Sequence, residues 1–239
     1  MEATPVRRPL VLGHRGASAV EHENTLAAFR AADKAGADGV ELDVRLTSDD
    51  VMVIHHDRHV AGFGAIWSQS FEELRGQRPN VPTLSEAFAA CGAMLVNIEI
   101  KNDPSENGFD PSHRAAELVA DWVDERAVSN RVLVSSFNPD TVGLVKGRSS
   151  GIPTGQLVAR GSVISDWIGS VAEEGHQWIL PHRRYLKRGP DVIDAAHAAD
   201  LLVGVWTVDS HRWLRQFADD GVDAVITNNP AAALELYSS

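Results

Sequence analysis

Gly39-Val40-Glu41-Leu42-Asp43-Val44-Arg45-Leu46-Thr47-Ser48-Asp49-Asp50-Val51-Met52-Val53-Ile54-His55-His56-Asp57 reads as a strand, a turn and a returning strand with charge gathered on one face. Glu41 and Asp43 stand at alternate positions, so they project from one side of an extended chain while Val40, Leu42 and Val44 project from the other. That charged side can hold a cation. With Asp49 and Asp50 as the turn, residues 51–54 return antiparallel, Ser48 faces Val51, and Asp43 faces His56 with Cβ atoms roughly 5 Å apart. A two-residue hairpin wants positive φ at its centre, where Asp-Asp is a poorer choice than Asp-Gly, and a slip of one residue sets His55 opposite Asp43 instead. In either register a histidine stands beside an acidic face, within reach of a proton on whatever that face binds. Alternation alone is also the ordinary signature of a half-buried strand whose polar side meets water.

Two other segments argue against that plainer explanation. Upstream, Pro9-Leu10-Val11-Leu12-Gly13 is a short apolar run ending in His14-Arg15-Gly16, and Asn24-Thr25-Leu26-Ala27-Ala28-Phe29 opens a helix with a capping residue. Downstream, Leu95-Val96-Asn97-Ile98-Glu99-Ile100-Lys101 repeats the alternation, with Asn97, Glu99 and Lys101 on one face. A lone histidine at a strand end is more often packed or solvated than catalytic, and a Glu/Lys strand is more often a surface ladder. Three strands that each carry charge near their C-terminal ends argue against three separate accidents.

With these residues in view, the chain resembles the glycerophosphodiester phosphodiesterase family. The likeness lies in His14-Arg15-Gly16, Glu23-Asn24-Thr25, the 41–57 run and Ile98-Glu99-Ile100-Lys101. It continues through Val134-Ser135-Ser136-Phe137, Val205-Trp206-Thr207-Val208 and Gly221-Val222-Asp223-Ala224-Val225-Ile226-Thr227, in the family's order and over nearly the whole chain. Each motif alone is short; the ordered set is specific. Two positions depart from the family pattern: His22 stands where a proline often precedes Glu-Asn-Thr, and Thr227-Asn228-Asn229-Pro230 replaces Thr-Asp-x-Pro. Both bear on the shape of the mouth, and so on the alcohol accepted.

Composition fits a compact enzyme. The chain has 239 residues, 44% of them hydrophobic, and an α/β barrel of about 250 residues is commonly one domain. A net charge of −11 repels nucleic-acid phosphate and anionic lipid alike, so neither nucleic acid nor stable membrane association is expected. The single cysteine, Cys91, lies in an amphipathic run and reads as a small buried apolar residue. Residues 1–9 carry charge without a following signal-type apolar core, and no stretch is long enough to span a bilayer. A reducing cytoplasm is the simplest compartment. Oligomeric state is left open.

Short apolar strands near 10–13, 39–43, 94–100, 131–135, 153–157, 178–181, 202–206 and 223–226 alternate with helices. Eight parallel candidates are what a closed (β/α)8 TIM barrel requires, with residues 51–54 as an added hairpin strand and a loop insertion after strand 2. Thr83 and Glu86 form a capping box pattern, and Gly36 suits a helix C-terminus. No repeat or linker divides residues 1–239, which predicts a single domain. Segment 58–82, rich in Gly and Pro, reads as a loop excursion over the mouth; Phe63 and Trp67 either wall the pocket or pin the loop.

Barrel active sites collect at the C-terminal ends of the strands, where His14, Glu41, Asp43, Glu99, Lys101 and Trp206 all fall. Three carboxylates and no nearby cysteine favour a hard divalent cation, Mg²⁺ or Ca²⁺, over tetrahedral zinc. The resemblance implies Glu41, Asp43 and Glu99 as metal ligands, His14 and His56 as the acid/base pair, and Arg15 and Lys101 as phosphate contacts. Trp206 either packs against the glycerol of the substrate or belongs to the core, and His182-Arg183-Arg184 form either a basic rim or a solvated cluster. The expected reaction is hydrolysis of a small glycerophosphodiester to glycerol 3-phosphate and an alcohol, by way of either direct attack or a cyclic phosphate. The alternatives are a lysophospholipase D-like lipid phosphodiesterase and a non-catalytic barrel that binds a phosphorylated metabolite. A sugar-phosphate isomerase would have less use for three carboxylates.

Overall fold

The computed structural model describes residues 8–238. Residues 1–7 of the N-terminal segment read above for a signal lie outside the described residues. In chain order the strands are β1 (Leu10–His14), β2 (Gly39–Leu46), β3 (Met52–Ile54), β4 (His59–Val60), β5 (Gly64–Ala65), β6 (Leu95–Ile100), β7 (Val132–Ser136), β8 (Thr154–Val158), β9 (Trp178–Pro181), β10 (Leu202–Val205) and β11 (Ala224–Thr227). The helices are α1 (Leu26–Lys34), α2 (Phe71–Gln77), α3 (Leu84–Ala90), α4 (Arg114–Glu125), α5 (Pro139–Arg148), α6 (Ile164–Glu173), α7 (Asp191–Ala198), α8 (His211–Asp219) and α9 (Pro230–Ser238). Strands β1, β2, β6, β7, β8, β9, β10 and β11 pair in parallel in that order, and β1 pairs with both β11 and β2, which closes a (β/α)8 barrel. Seven of the eight stand within a residue of where the apolar runs predict them, and β2 starts at Gly39 as expected but runs three residues further, to Leu46.

Alternation along each strand sorts side chains between the barrel interior and the helical layer. On β2, Val40, Leu42 and Val44 join Phe29, Ile98, Ile100 and Trp122 in an apolar layer under the helices. A second such layer, around Ile179, Val205, Leu214 and Phe217, covers the other half. Inside, Leu12, Leu133, Leu157, Trp178, Leu180, Ala224 and Ile226 fill the barrel, so it is a packed core beneath its mouth. Gly204 makes room for them: a Cβ there would meet Leu180 Cδ2 at 2.5 Å.

The hairpin takes the slipped register. Val44 pairs with Ile54 and Leu46 with Met52, and the His55 amide donates to the Asp43 carbonyl at 2.9 Å, so His55 and not His56 stands opposite Asp43. The turn has three residues: Thr47 and Val51 close it, and Asp50 adopts φ 60°. A type I turn followed by a left-handed residue is the usual three-residue hairpin, and aspartate tolerates that conformation better than most.

Segment 58–82 is less loop-like than its composition suggests. It carries the β4–β5 pair and helix α2, which starts at a capping box between Ser70 and Glu73. Trp67 packs edge-on to His59 and against Gly108, Phe63 lies under the Arg78 guanidinium, and Val53, Val60, Ile66, Leu74 and Val81 form a satellite core. Trp67 therefore pins the excursion. The Thr83–Glu86 capping box forms as expected, Cys91 is buried, and Gly36 takes φ 79° after α1.

Candidate active site

Glu41 and Asp43 come from β2 and Glu99 from β6, whose register sets Asp43 beside Glu99. One carboxylate oxygen from each lies within 4.8 Å of the others, and all three side chains are buried. Burial pushes Glu41 well above the usual carboxylate range, and Asp43 and Glu99 push it further. Burial also raises Glu99, against the opposing pull of Lys101. For Asp43 the balance reverses: burial favours the neutral acid, but Lys101, Arg15 and His56 together outweigh it and hold the carboxyl below its usual range.

Two cations flank the acids. Lys101 Nζ lies 2.7 Å from Glu99 Oε1 and 3.6 Å from Asp43 Oδ1. The Arg15 guanidinium Nε is 3.2 Å from Asp43 Oδ2, its Nη1 donates to Glu23 Oε1 at 2.8 Å, and its backbone N donates to Glu41 Oε2 at 3.0 Å. Arg15 and Asn24 both adopt positive φ, and the Asn24 amide donates to the Arg15 carbonyl, so the loop after β1 folds back over the acids. Asn24 Nδ2 then donates to Asp43 Oδ2 at 2.8 Å. The helix cap is Thr25; Asn24 serves the site instead. Glu41 Oε1, Asp43 Oδ1 and Arg15 Nε are buried without a hydrogen-bond partner. Buried polar atoms are normally satisfied. Carboxylate oxygens without a hydrogen bond inside an all-oxygen donor set fit a hard divalent cation, and a guanidinium N–H that is ion-paired with Asp43 but makes no hydrogen bond fits an anion.

Each histidine is held at Nδ1. His14 Nδ1 lies 2.7 Å from Asn228 Oδ1, and Asn228 Nδ2 donates to Asp209 Oδ2 at 2.8 Å. A carboxylate only accepts, so Asp209 fixes the amide with its oxygen toward His14, and the hydrogen-bond network assigns the His14 proton to Nδ1. Nε2, 4.0 Å from Glu41 Oε2, is left as the free base. Burial, aided by Arg15, lowers the His14 pKa and favours that neutral ring. His56 Nδ1 lies 2.8 Å from Asp57 Oδ1, and its carbonyl accepts from Arg45 Nε at 2.9 Å. His56 is near enough to act on the charges of both Asp43 and Glu99, while His55 turns its ring to the Asp57 carbonyl.

Trp206 is half-buried. Its Nε1 donates to the Leu180 carbonyl at 2.7 Å, and its ring meets Phe137 edge-on at 5.4 Å. Phe137 in turn lies 5.7 Å from Lys101 Nζ, so the two aromatics form a wall beside the cations. A cleft of about 860 Å³ opens on the other side, lined by His22, Glu23, Asn24, His55, His56 and Asp57 among others. A hollow of about 200 Å³ is lined by Glu99, Lys101 and Phe137. All eight residues singled out from the sequence thus stand around one mouth. Sequence reasoning gave no role to the partners Glu23, Asp57 and Asp209, read Asn24 only as part of a helix start, and noticed Asn228 only as a departure.

Acids, cations and imidazoles drawn from the C-terminal ends of several strands into one mouth define a (β/α)8 barrel enzyme. Residues 14–232 match the glycerophosphoryl diester phosphodiesterase family, and the chain belongs to it. It is 31% identical over 248 residues to a glycerophosphodiester phosphodiesterase of Caldanaerobacter subterraneus subsp. tengcongensis, covering 96% of this chain and 98% of that one. Its structure is similar to that of the glycerophosphodiester phosphodiesterase of Thermotoga maritima, with a TM-score of 0.81, 29% identity, and 96% and 99% of the two chains covered. The fold is shared with an Oleispira antarctica phosphodiesterase solved in complex with the product sn-glycerol-3-phosphate, at TM-score 0.85 and 24% identity over 97% and 98% of the chains. The protein is an enzyme of the phosphoric diester hydrolase class.

Proposed function

We propose that the protein hydrolyses small glycerophosphodiesters to glycerol 3-phosphate and an alcohol, using Mg²⁺ or Ca²⁺ at Glu41, Asp43 and Glu99 and the pair His14 and His56 for proton transfer. The observation that carries this is the buried carboxylate cluster with unpartnered oxygens, flanked by Arg15, Lys101 and two histidines. When bound, a divalent cation supplies charge neutralisation for the non-bridging phosphoryl oxygens. Arg15 Nε and Lys101 Nζ bind the same phosphate and hold it for in-line displacement.

His14 Nε2, the free base, accepts the proton of the attacking hydroxyl as the new P–O bond forms. His56 in its protonated form, supported at Nδ1 by Asp57, gives a proton to the departing alkoxide as the old P–O bond breaks. When the attacker is the neighbouring glycerol hydroxyl, the product is a cyclic phosphate. Water then opens it with the two histidines in exchanged roles. Trp206 and Phe137 offer an apolar wall to the carbon skeleton. In this reading residues 1–239 act as one barrel domain on soluble substrates in the cytoplasm; among the described residues no helix is long and apolar enough to cross a membrane. The test is release of glycerol phosphate from glycerophosphocholine in a coupled assay. Chelation should abolish it and Mg²⁺ or Ca²⁺ should restore it, whereas full turnover after exhaustive chelation overturns the metal assignment.

A further inference from the structure

The mouth has a second basic corner, beyond the aromatic wall. The Trp206 ring that meets Phe137 on one side meets His182 edge-on at 5.1 Å on the other, so the ring contacts run from Lys101 through Phe137 and Trp206 to His182. His182 follows β9, and Arg183, Arg184 and Lys187 lie in the same loop, while Arg160 follows β8; the parallel strands bring all of them to the catalytic end of the barrel. The two loops are tied together. Tyr185 Oη lies 2.8 Å from the Ala159 carbonyl and 2.9 Å from that of Ser162, and Arg183 Nη1 donates to the Thr207 carbonyl at 2.6 Å.

These cations gather around His182 without acidic partners, Arg183 tied to the Thr207 carbonyl and Lys187 lying over the Trp213 ring at 4.6 Å. Elsewhere Arg8, Arg45, Arg75, Arg114 and Arg148 each pair with a carboxylate. Among the described residues no carboxylate lies within ion-pair distance of Arg160, Arg183, Arg184 or Lys187. Burial first, and then the nearby charges of Arg183, Arg160, Arg184 and Lys187, push the His182 pKa down to about 4, and its Nδ1 accepts from the Arg184 amide, so the ring is neutral and adds a donor, not a charge. In a chain of net charge −11, four like charges gathered in one corner repel one another and attract an anion. The single charge of a phosphodiester is already met by Arg15, Lys101 and the cation.

We propose that the corner formed by Arg160, His182, Arg183, Arg184 and Lys187 is a subsite for a second anionic group, a phosphomonoester or carboxylate, carried by the substrate at the end that passes Phe137 and Trp206. The subsite rests on the phosphodiesterase reading and adds a substrate class to it: glycerophosphodiesters whose far end is itself anionic. The histidine-lined cleft on the opposite side receives the other end.

The experiment compares glycerophosphocholine with glycerophosphoinositol 4-phosphate, in the wild-type protein and in the Arg160→Gln/Arg184→Gln double variant. Expected in the wild type is at least a tenfold higher kcat/KM for the phosphorylated diester at low salt, shrinking as salt rises. In the double variant the ratio should approach unity with glycerophosphocholine turnover unchanged. Equal kcat/KM in the wild type, or a preference untouched by the double substitution, overturns the subsite. If neither diester is turned over, the phosphodiesterase reading fails on its own; calorimetric binding of the same two compounds then decides the subsite, with equal affinity overturning it. Sedimentation with phosphatidylserine vesicles forms the last arm. Loss of vesicle binding in the double variant, together with a flat ratio for the soluble diesters, reassigns the corner to a membrane surface.

Discussion

The Asn228 amide decides which nitrogen of His14 is free, because Asp209 can only accept and so turns the amide oxygen toward the ring. An alanine at Asn228 would leave His14 free to rotate and to change tautomer. We expect Asn228→Ala to lower kcat by roughly ten- to a hundredfold with little change in KM, since misplacing a reacting group costs up to about 10². Histidine ¹⁵N spectra would check it by a shift of the His14 proton from Nδ1 toward Nε2; an unchanged tautomer and rate would remove the amide from the account. His14→Ala and His56→Ala should each lose about 10²- to 10⁴-fold in kcat with an unaltered circular dichroism spectrum, and the double variant should lose less than the product of the two. The carboxylates and Lys101 were legible in the sequence because strand alternation alone puts them on one face. The partners of His14 were not, since Asn228 lies 214 residues away and reaches it only when β11 closes against β1.

At the scale of elements, apolar runs of four to six residues mark the barrel strands well because both faces of a parallel strand are buried. Turn geometry is harder to read. Asp49-Asp50 does not reveal that Ser48 joins the turn and that Asp50 becomes left-handed, and this extra residue moves His55 into the place expected for His56. Helix α2 was missed although Ser70 and Glu73 carry its start signal, because the surrounding Gly and Pro weigh toward loop. Two glycines show how position governs substitution. Gly204→Ala would drive a methyl group into Leu180 inside the barrel and should destabilise by ~1–3 kcal/mol. Gly143→Ala, in the interior of α5 with nothing within 4 Å of the new Cβ, should stabilise by roughly 0.5–1 kcal/mol. Urea unfolding of the two variants gives both signs, and a neutral Gly204→Ala would mean that the interior has slack the packing does not suggest.

For the whole molecule, the buried carboxylate cluster makes stability depend on pH and cation together. Glu41 and Glu99 have folded pKa values above the ordinary 4.5, so between 4.5 and those raised values the folded state binds more protons than the unfolded one. Their contribution to stability is complete below 4.5 and lost as pH rises through the raised values. Asp43 has the opposite sign: its contribution is present above 3.8 and lost as pH falls through its lowered pKa, outside that window. His14, His55, His176 and His182, all lowered from 6.5, remove stability as pH falls below 6.5; His55, His176 and His182 do so with or without Glu41→Gln, and His14, 4.0 Å from Glu41, is compared within each variant by the shift the ion produces. A cation competes with the protons on the carboxylates, so its stabilisation should grow from pH 5 to pH 7.5. At a hundred times its Kd it contributes about 2.7 kcal/mol, a Tm rise of roughly 5–10 °C for a chain of this size. Glu41→Gln removes one of the crowded charges, so it should raise the Tm of the chelated protein, more at pH 7.5 than at pH 5, while shrinking the shift produced by Mg²⁺ or Ca²⁺. Thermal melts of both proteins at the two pH values, with chelator and with each ion, read this without any enzymatic assay. An ion-induced shift that is the same at both pH values, or that survives Glu41→Gln intact, would seat the cation somewhere other than Glu41, Asp43 and Glu99.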